Sequence, residues 1–134
     1  MKKIIATTLL LPWLTFALPV LAQVTIDFQS QPTQEQLIQV VESATKDKNY
    51  STALRVANNA IKQFPNLAEA YYYRAIALNN LGNPIDARLD FQHAQKLYLR
   101  QLKDDKISAQ EKSEAQAKLD TVKQYLKSFN SKNQ

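Results

Sequence analysis

One histidine and two aspartates are spaced as the ligands of a metal ion could be. Asp86, Asp90 and His93 are four and three residues apart, which places them on one face of a helix. Imidazole and carboxylate are common ligands of zinc and related ions. The chain has a single histidine and no cysteine, so the ligand set is incomplete. We interpret these residues as the polar side of a surface helix, and we predict neither a metal nor another cofactor.

The composition also argues against catalysis. Nucleophile elbows, phosphate loops and dinucleotide-binding turns need several glycines, whereas this chain has one, Gly82. A thiol nucleophile is excluded because there is no cysteine. The residue inventory therefore predicts a protein that is not an enzyme.

The first 22 residues have the pattern of a secretory signal peptide. A basic start, an apolar stretch and a small-x-small site follow one another at Lys2-Lys3, residues 4–18 and residues 20–22. We expect cleavage after Ala22 and export to the periplasm, to the cell exterior or, in a photosynthetic host, to the thylakoid lumen. A retained membrane anchor is the alternative interpretation.

The charge of the chain is moderately positive. Its formal net charge is +5, and removal of Lys2 and Lys3 with the signal peptide leaves +3. This bias is too small to indicate a nucleic-acid partner. One helix carries a basic stripe at Lys96, Arg100 and Lys103, with Lys106 nearby. We interpret the stripe as a solvated face, and contact with an acidic partner or an anionic membrane surface is the alternative.

Residues 23–33 form a lead-in to the main part of the chain. Val24, Ile26 and Phe28 alternate with polar residues, which is the period of a short strand. The segment could pair with a sheet edge of a partner or dock on the domain, and a partly ordered tail is the interpretation that we favour.

The segments 34–67 and 68–101 repeat each other at an offset of 34 residues. The identical pairs are Ala53/Ala87, Ala60/Ala94, Asn49/Asn83, Glu35/Glu69 and Lys62/Lys96. In each segment the two alanines are seven residues apart and so share one helical face. A fixed period of this length indicates a helical repeat array, an architecture that usually provides a binding surface.

Local signals divide each repeat into two helices. Leu37, Val40, Val41 and Ala44 form one apolar stripe. Gly82 supplies the positive φ that the end of a helix commonly needs. The predicted helix starts are Thr33 with Gln36, Asn66 with Glu69, Asn83 with Pro84, and Ser108 with Glu111.

The period stops after the second repeat, and a different helix is predicted over residues 108–129. Its apolar seam consists of Ala115, Leu119, Val122, Leu126 and Phe129. We expect this seam to cover the open face of the second repeat, because a terminal repeat needs a cap. Self-association through the same seam is the alternative. On the exposed side we expect an ion pair between Glu114 and Lys118.

The second repeat resembles a bacterial tetratricopeptide repeat (TPR). Residues 68–78 resemble its first helix, residues 81–83 its inner turn, and Ala87, Phe91 and Ala94 the small–large–small face of its second helix. Arg74 stands where a leucine is usual. Leu99 stands where the closing proline would recur, so we expect the second helix to continue to about residue 104.

The resemblance implies an all-α fold of two TPR units, each an antiparallel α-hairpin, with a C-terminal capping helix. The predicted structural core consists of Leu37, Val41, Ala53, Ala60, Tyr71, Ala75, Leu78, Gly82, Ala87, Phe91 and Ala94.

First helices of TPR units line a concave groove that accepts peptides or partner helices. The resemblance assigns to this groove Glu35, Ile38, Glu42, Thr45, Glu69, Tyr72, Ile76, Asn79 and Asn80. The Lys/Asn pattern with which some TPR domains hold a C-terminal carboxylate is missing, because Ile38 and Glu42 occupy matching places. We expect an exported adapter that binds a protein or peptide partner. The alternatives are a self-assembling scaffold subunit and an accessory factor at a membrane-associated complex.

Overall fold

The computed structural model describes residues 31–131, and these form five helices and no strand. The helices are α1 (Gln34–Lys46), α2 (Tyr50–Gln63), α3 (Ala68–Asn80), α4 (Pro84–Leu102) and α5 (Ala109–Ser131). Each helix packs against the next one in the chain, and α1 also contacts α3. The prediction of an all-α helical repeat fold is confirmed. The predicted signal peptide (1–22) and most of the lead-in (23–33) lie outside the described residues.

The turns inside the two hairpins have the same backbone geometry. Lys48 (φ 58°) and Gly82 (φ 83°) are 34 residues apart, and both adopt the left-handed conformation. In the first turn the amide of Asn49 donates to the carbonyl of Ala44 at 2.8 Å, and in the second Asn83 donates to Leu78 at 2.9 Å. This arrangement is the Schellman motif. The sequence period of 34 residues is therefore also a structural period.

Short polar side chains begin four of the five helices. Thr33 and Gln36 cap each other reciprocally at α1, and Ser108 and Glu111 do the same at α5. The predicted cap of α3 by Asn66 is wrong: Leu67 is the N-cap and no side chain caps the helix. The Asn66 carboxamide oxygen instead accepts from the Nη2 atom of Arg100 at 3.0 Å.

Helix α3 is shared by the two hydrophobic clusters of the fold. Ala70, Tyr73 and Ala77 belong to the cluster that α3 builds with α1 and α2, whereas Ala68 and Ala75 belong to the cluster with α4 and α5. A helix with neighbours on both sides needs apolar residues on both sides. The small alanines also let the flanking helices approach closely.

The predicted core residues differ in burial. Those that are buried are Leu37, Val41, Ala53, Ala60, Ala75, Ala87, Phe91 and Ala94. Tyr71 and Leu78 are half-buried at the edge of the second cluster, and Gly82 is exposed in its turn. Val40 does not belong to the α1 stripe, since half of its surface (50%) is exposed.

A partly buried ion pair connects α3 to α4, and it uses Arg74, which stands where a leucine is usual in TPR helices. Arg74 donates from Nε and Nη2 to the two carboxylate oxygens of Asp90, at 2.6 and 2.7 Å. Its Nη1 atom donates to Asn58 on α2 at 3.0 Å. Asp90 is only 7% exposed. This bidentate geometry gives the buried carboxylate a directional partner.

Helix α5 covers the second cluster. Ala115, Leu119 and Val122 are buried against it, and the ring of Tyr125 stacks on Phe91 with centroids 4.6 Å apart. The helix begins at Ala109 and ends at Ser131, slightly later than predicted, and α4 ends at Leu102 rather than near residue 104.

The predicted ion pair between Glu114 and Lys118 does not form. Lys118 Nζ lies 3.8 Å from Glu69 Oε1, and Glu114 accepts from Gln110 instead. The Glu69 carboxylate on α3 is largely shielded from solvent, whereas Glu114 on α5 is exposed, so Lys118 pairs with the less solvated of the two.

Replacement of Phe91 by alanine tests the second cluster. Phe91 is fully buried and contacts both Tyr125 and Phe129, so we expect Phe91→Ala to lower the free energy of unfolding by about 3–5 kcal/mol. Leu89→Ala on the exposed side of the same helix should change it by less than about 0.5 kcal/mol. Urea unfolding followed by circular dichroism measures both, and similar losses would contradict the described packing.

The two equivalent turns provide a matched pair of substitutions. A side chain in the left-handed region costs roughly 1 kcal/mol, so Lys48→Gly should stabilise the protein and Gly82→Ala should destabilise it. No atom lies within 4 Å of a Cβ built on Gly82, so the cost of the alanine is conformational rather than steric. Thermal unfolding of both variants should give shifts of opposite sign, and shifts of the same sign would show that the two turns are not equivalent.

Candidate binding groove

The predicted groove residues lie on one side of α1 and α3, and most of them remain accessible. Ile38, Glu42, Glu69, Tyr72 and Ile76 are half-buried, in keeping with positions beside a core stripe. Glu35 is exposed in the first turn of α1.

The remaining three predicted groove residues lie near the C-terminal ends of α1 and α3. Thr45 and Asn80 use their side chains locally, donating to the carbonyls of Val41 and Ile76. Asn79 is half-buried. None of these three lines the cavity described next.

Four of the predicted residues open onto one cavity of about 450 Å³. We call it the acidic cavity, and its lining consists of Gln34, Glu35, Ile38, Gln39, Glu42, Leu67, Glu69, Gln101, Glu111, Glu114, Ala115 and Lys118. Five glutamates and one lysine are the charged members. The cavity is thus negatively charged, although the whole chain is positive.

Helix α5 provides the third wall of this cavity, which the sequence analysis did not assign. Glu111, Glu114 and Lys118 reach the cavity from α5. Tyr125 lies further along the same helix, close enough to Tyr72 to influence its ionisation. The spacing of the α5 seam shows that Glu111, Glu114 and Lys118 lie beside the buried residues of this helix. It does not show that they face α3, because that depends on how α5 packs on α4.

Lys118 places an ammonium group at one end of the acidic cavity. Its Nζ atom lies 3.8 Å from Glu69 Oε1 and 5.5 Å from the centroid of the Tyr73 ring. The second distance is within the range of a cation–π interaction. Lys118 therefore connects α5 to α3 by charge as well as by packing.

Ionisation in the groove is shifted by hydrogen bonding and burial. A hydrogen bond from Lys46 is the main reason why the pKa of Glu42 is lowered, and the positive charge of Lys118 adds to the effect. Burial raises the pKa values of the Tyr72 and Tyr73 hydroxyls, and the nearby Glu42 carboxylate contributes to both shifts. The glutamate therefore stays charged and the two tyrosines stay neutral near pH 7.

The possible metal ligands and the basic stripe that the sequence analysis singled out lie outside the acidic cavity. Asp90 is bound to Arg74, and the His93 ring lies 4.2 Å from the ring of Tyr71. Within residues 31–131, no three His, Cys, Asp or Glu side chains are grouped as metal ligands. Arg100 and Lys103 of the basic stripe line an adjoining cavity, of about 650 Å³, beside the α2–α3 loop. The two cavities share the lining residues Gln34, Leu67, Glu69 and Gln101.

Residues 56–89 match the sequence profile of the tetratricopeptide repeat. The match begins inside α2, includes all of α3 and ends inside α4, so it has the 34-residue period in a shifted phase. The chain contains a tetratricopeptide repeat. No curated protein and no solved structure gave a significant match. In the part of the chain that the structure describes, no helix has the length and hydropathy of a membrane span.

TPR domains generally mediate protein–protein interactions, and the first helices of the repeats, here α1 and α3, line their concave side. In this chain α5 extends that side, because it follows the second hairpin and packs on α4.

One buried hydroxyl in the second hydrophobic cluster has no hydrogen-bond partner among the described residues. Tyr98 on α4 is fully buried, and its Oη atom is the only unpaired buried side-chain polar atom found among residues 31–131. Burial raises the pKa of this hydroxyl, and the Glu69 carboxylate contributes to the shift. An unpaired buried hydroxyl is destabilising.

Removal of this hydroxyl should therefore not reduce stability. We expect Tyr98→Phe to leave the free energy of unfolding at pH 7 unchanged or higher. The pKa of Tyr98 is raised in the folded state, so above the unfolded value of about 10 the hydroxyl loses its proton more readily in the unfolded chain, and the folded state becomes less stable as pH rises. Phenylalanine has no such proton to lose. The midpoint of alkaline unfolding should therefore lie at a higher pH for Tyr98→Phe than for the unchanged protein.

Tyr71→Phe is the matched control, measured in the same urea and alkaline titrations. Its hydroxyl donates to the carbonyl of Pro65 at 3.0 Å, so its loss should cost about 0.5–1.5 kcal/mol. A larger loss for Tyr98→Phe than for Tyr71→Phe would show that the Tyr98 hydroxyl is bound.

Proposed function

We propose that the protein is an exported, non-catalytic adapter that binds a segment of a partner protein in the groove between α1, α3 and α5. The observation that carries the proposal is the acidic cavity: residues from these three helices surround one space that none of the described residues fills. A preformed concave site reduces the ordering cost of binding.

The groove combines polar and apolar groups. Ile38 lines the acidic cavity, whereas Tyr72 and Ile76 are half-buried on α3, pack against both hydrophobic clusters and do not line the cavity. Partly exposed aromatic side chains often carry a large share of interface energy. A segment with apolar side chains spaced along one side would match this arrangement.

Export is part of the proposal and is supported by the basic and apolar pattern of residues 1–22. The absence of cysteine means that the domain does not use disulfides in an oxidising compartment.

A self-assembling scaffold subunit is the second candidate function. One observation favours it: Leu81, Ile85 and Leu89 are four residues apart and all exposed, Ile85 to 75%. Such an apolar stripe on α4 and its preceding turn could contact another copy of the chain.

Site-specific photo-crosslinking in the native cells distinguishes the two candidates. A photoreactive amino acid at Gln39, in the acidic cavity, should give adducts with another protein. The same substitution at Asn59, exposed on α2, should give few. The intact mass of the captured chain also reports whether residues 1–22 have been removed.

The crosslinking has two contrary outcomes. A photoreactive amino acid placed at Ile85 that gave adducts with twice the mass of the chain would favour the scaffold. Equal yields from positions 39 and 59 would rule out the groove as the binding site.

A further inference from the structure

We propose that the partner segment of this adapter is cationic, with a lysine or arginine side chain entering the acidic cavity beside an apolar neighbour that contacts Ile38. The inference rests on the proposed function of the groove and specifies the chemistry of its occupant.

The first argument is charge complementarity. Five of the twelve acidic residues of the chain line this one cavity, and Lys118 is its only basic residue. The chain as a whole carries a positive charge. A cationic segment is therefore repelled by the protein in general and attracted to this cavity in particular.

The second argument is that the cavity already accommodates an ammonium group. Lys118 approaches Glu69 to 3.8 Å and lies over the ring of Tyr73. A carboxylate beside an aromatic face is a favourable environment for a cation. The chain itself thus provides an example of the group that a partner would contribute.

The third argument concerns the carboxylates that remain unbalanced. Glu69 is paired with Lys118 and Glu42 with Lys46, at 2.9 Å. Glu35, Glu111 and Glu114 have no ion-pair partner among the described residues; Glu111 accepts from Ser108 and Glu114 from Gln110.

Helix dipoles account for only part of this negative charge. Of the three unbalanced glutamates, Glu35 and Glu111 lie in the first turns of α1 and α5, where each helix N-terminus contributes about half a positive charge. Two such termini offset roughly one of the three unbalanced charges. The remainder matches one or two cationic side chains.

An apolar contact beside the charges indicates the rest of the segment. Ile38 lines the acidic cavity between Glu35 and Glu42 of the same helix. A segment that alternates basic and apolar side chains would satisfy both, whereas a purely basic chain would leave Ile38 uncovered. The occupant is therefore a basic, amphipathic stretch of another protein.

An unbiased peptide-display selection on residues 23–134 tests the inference, and the enriched peptides serve as the probes. We expect enrichment in lysine and arginine next to apolar residues, with binding measured by fluorescence anisotropy. Binding should weaken between about 30 and about 300 mM NaCl, where the screening length falls well below the size of the cavity region.

A double variant removes two carboxylates that have no ion-pair partner and that belong to exposed side chains. Glu35→Gln with Glu114→Gln changes exposed residues of the cavity and should weaken binding roughly three- to thirtyfold. Asp47→Asn with Asp120→Asn makes the same change of charge at exposed positions outside the cavity and should leave binding unchanged.

The outcomes separate this inference from the proposed function. The cationic partner would be ruled out if the peptides that crosslink from position 39 had no excess of basic residues, or if they bound the glutamine variant equally well. Either result would still support the groove as the binding site. Basic peptides that crosslink only outside the groove, or the absence of any selected peptide, would overturn both. If the protein self-associated and the glutamine variant did not, the occupant of the cavity would be a second copy of this chain and not a cationic partner.

Discussion

Close packing of α3 between α2 and α4 is the constraint on which the rest of the structure depends. Ala70 and Ala77 face one cluster, Ala75 faces the other, and all three are fully buried. Small side chains allow this two-sided contact, but they fill little space themselves. Larger residues on neighbouring helices, such as Phe91, must occupy the gaps. The second cluster then has an open side, which α5 covers through Ala115, Leu119 and Val122.

The helix that completes the core also completes the groove. Lys118, one position before the buried Leu119, reaches across to Glu69 and the ring of Tyr73. Core packing and the arrangement of the cavity are therefore coupled in this fold, because movement of α5 away from α4 would open the cluster and disperse the charges of the acidic cavity together. The positions of Glu111 and Glu114 depend on the same packing.

Much of the fold could be predicted from short-range signals. The alanine pairs indicated two hairpins, and Gly82 indicated a left-handed residue in the second turn, which its φ of 83° confirms. Lys48 has the same conformation in the first turn without any such signal, because the hydrogen bonds of the motif impose it on a residue that does not favour it. Asn66 was expected to cap α3, yet Arg100, 34 residues later in the chain, binds its side chain. Competition between local and distant partners cannot be judged from spacing.

The sequence by itself determined the five helices and their period, because these follow from residue spacing and from capping within a few positions. Only the tertiary structure decided that Lys118 pairs with Glu69 rather than with Glu114, and that five glutamates from three helices surround one cavity. The reason is physical: helix formation depends on neighbours along the chain, whereas electrostatic interaction depends on distance through space, which is set by how α5 packs on α4.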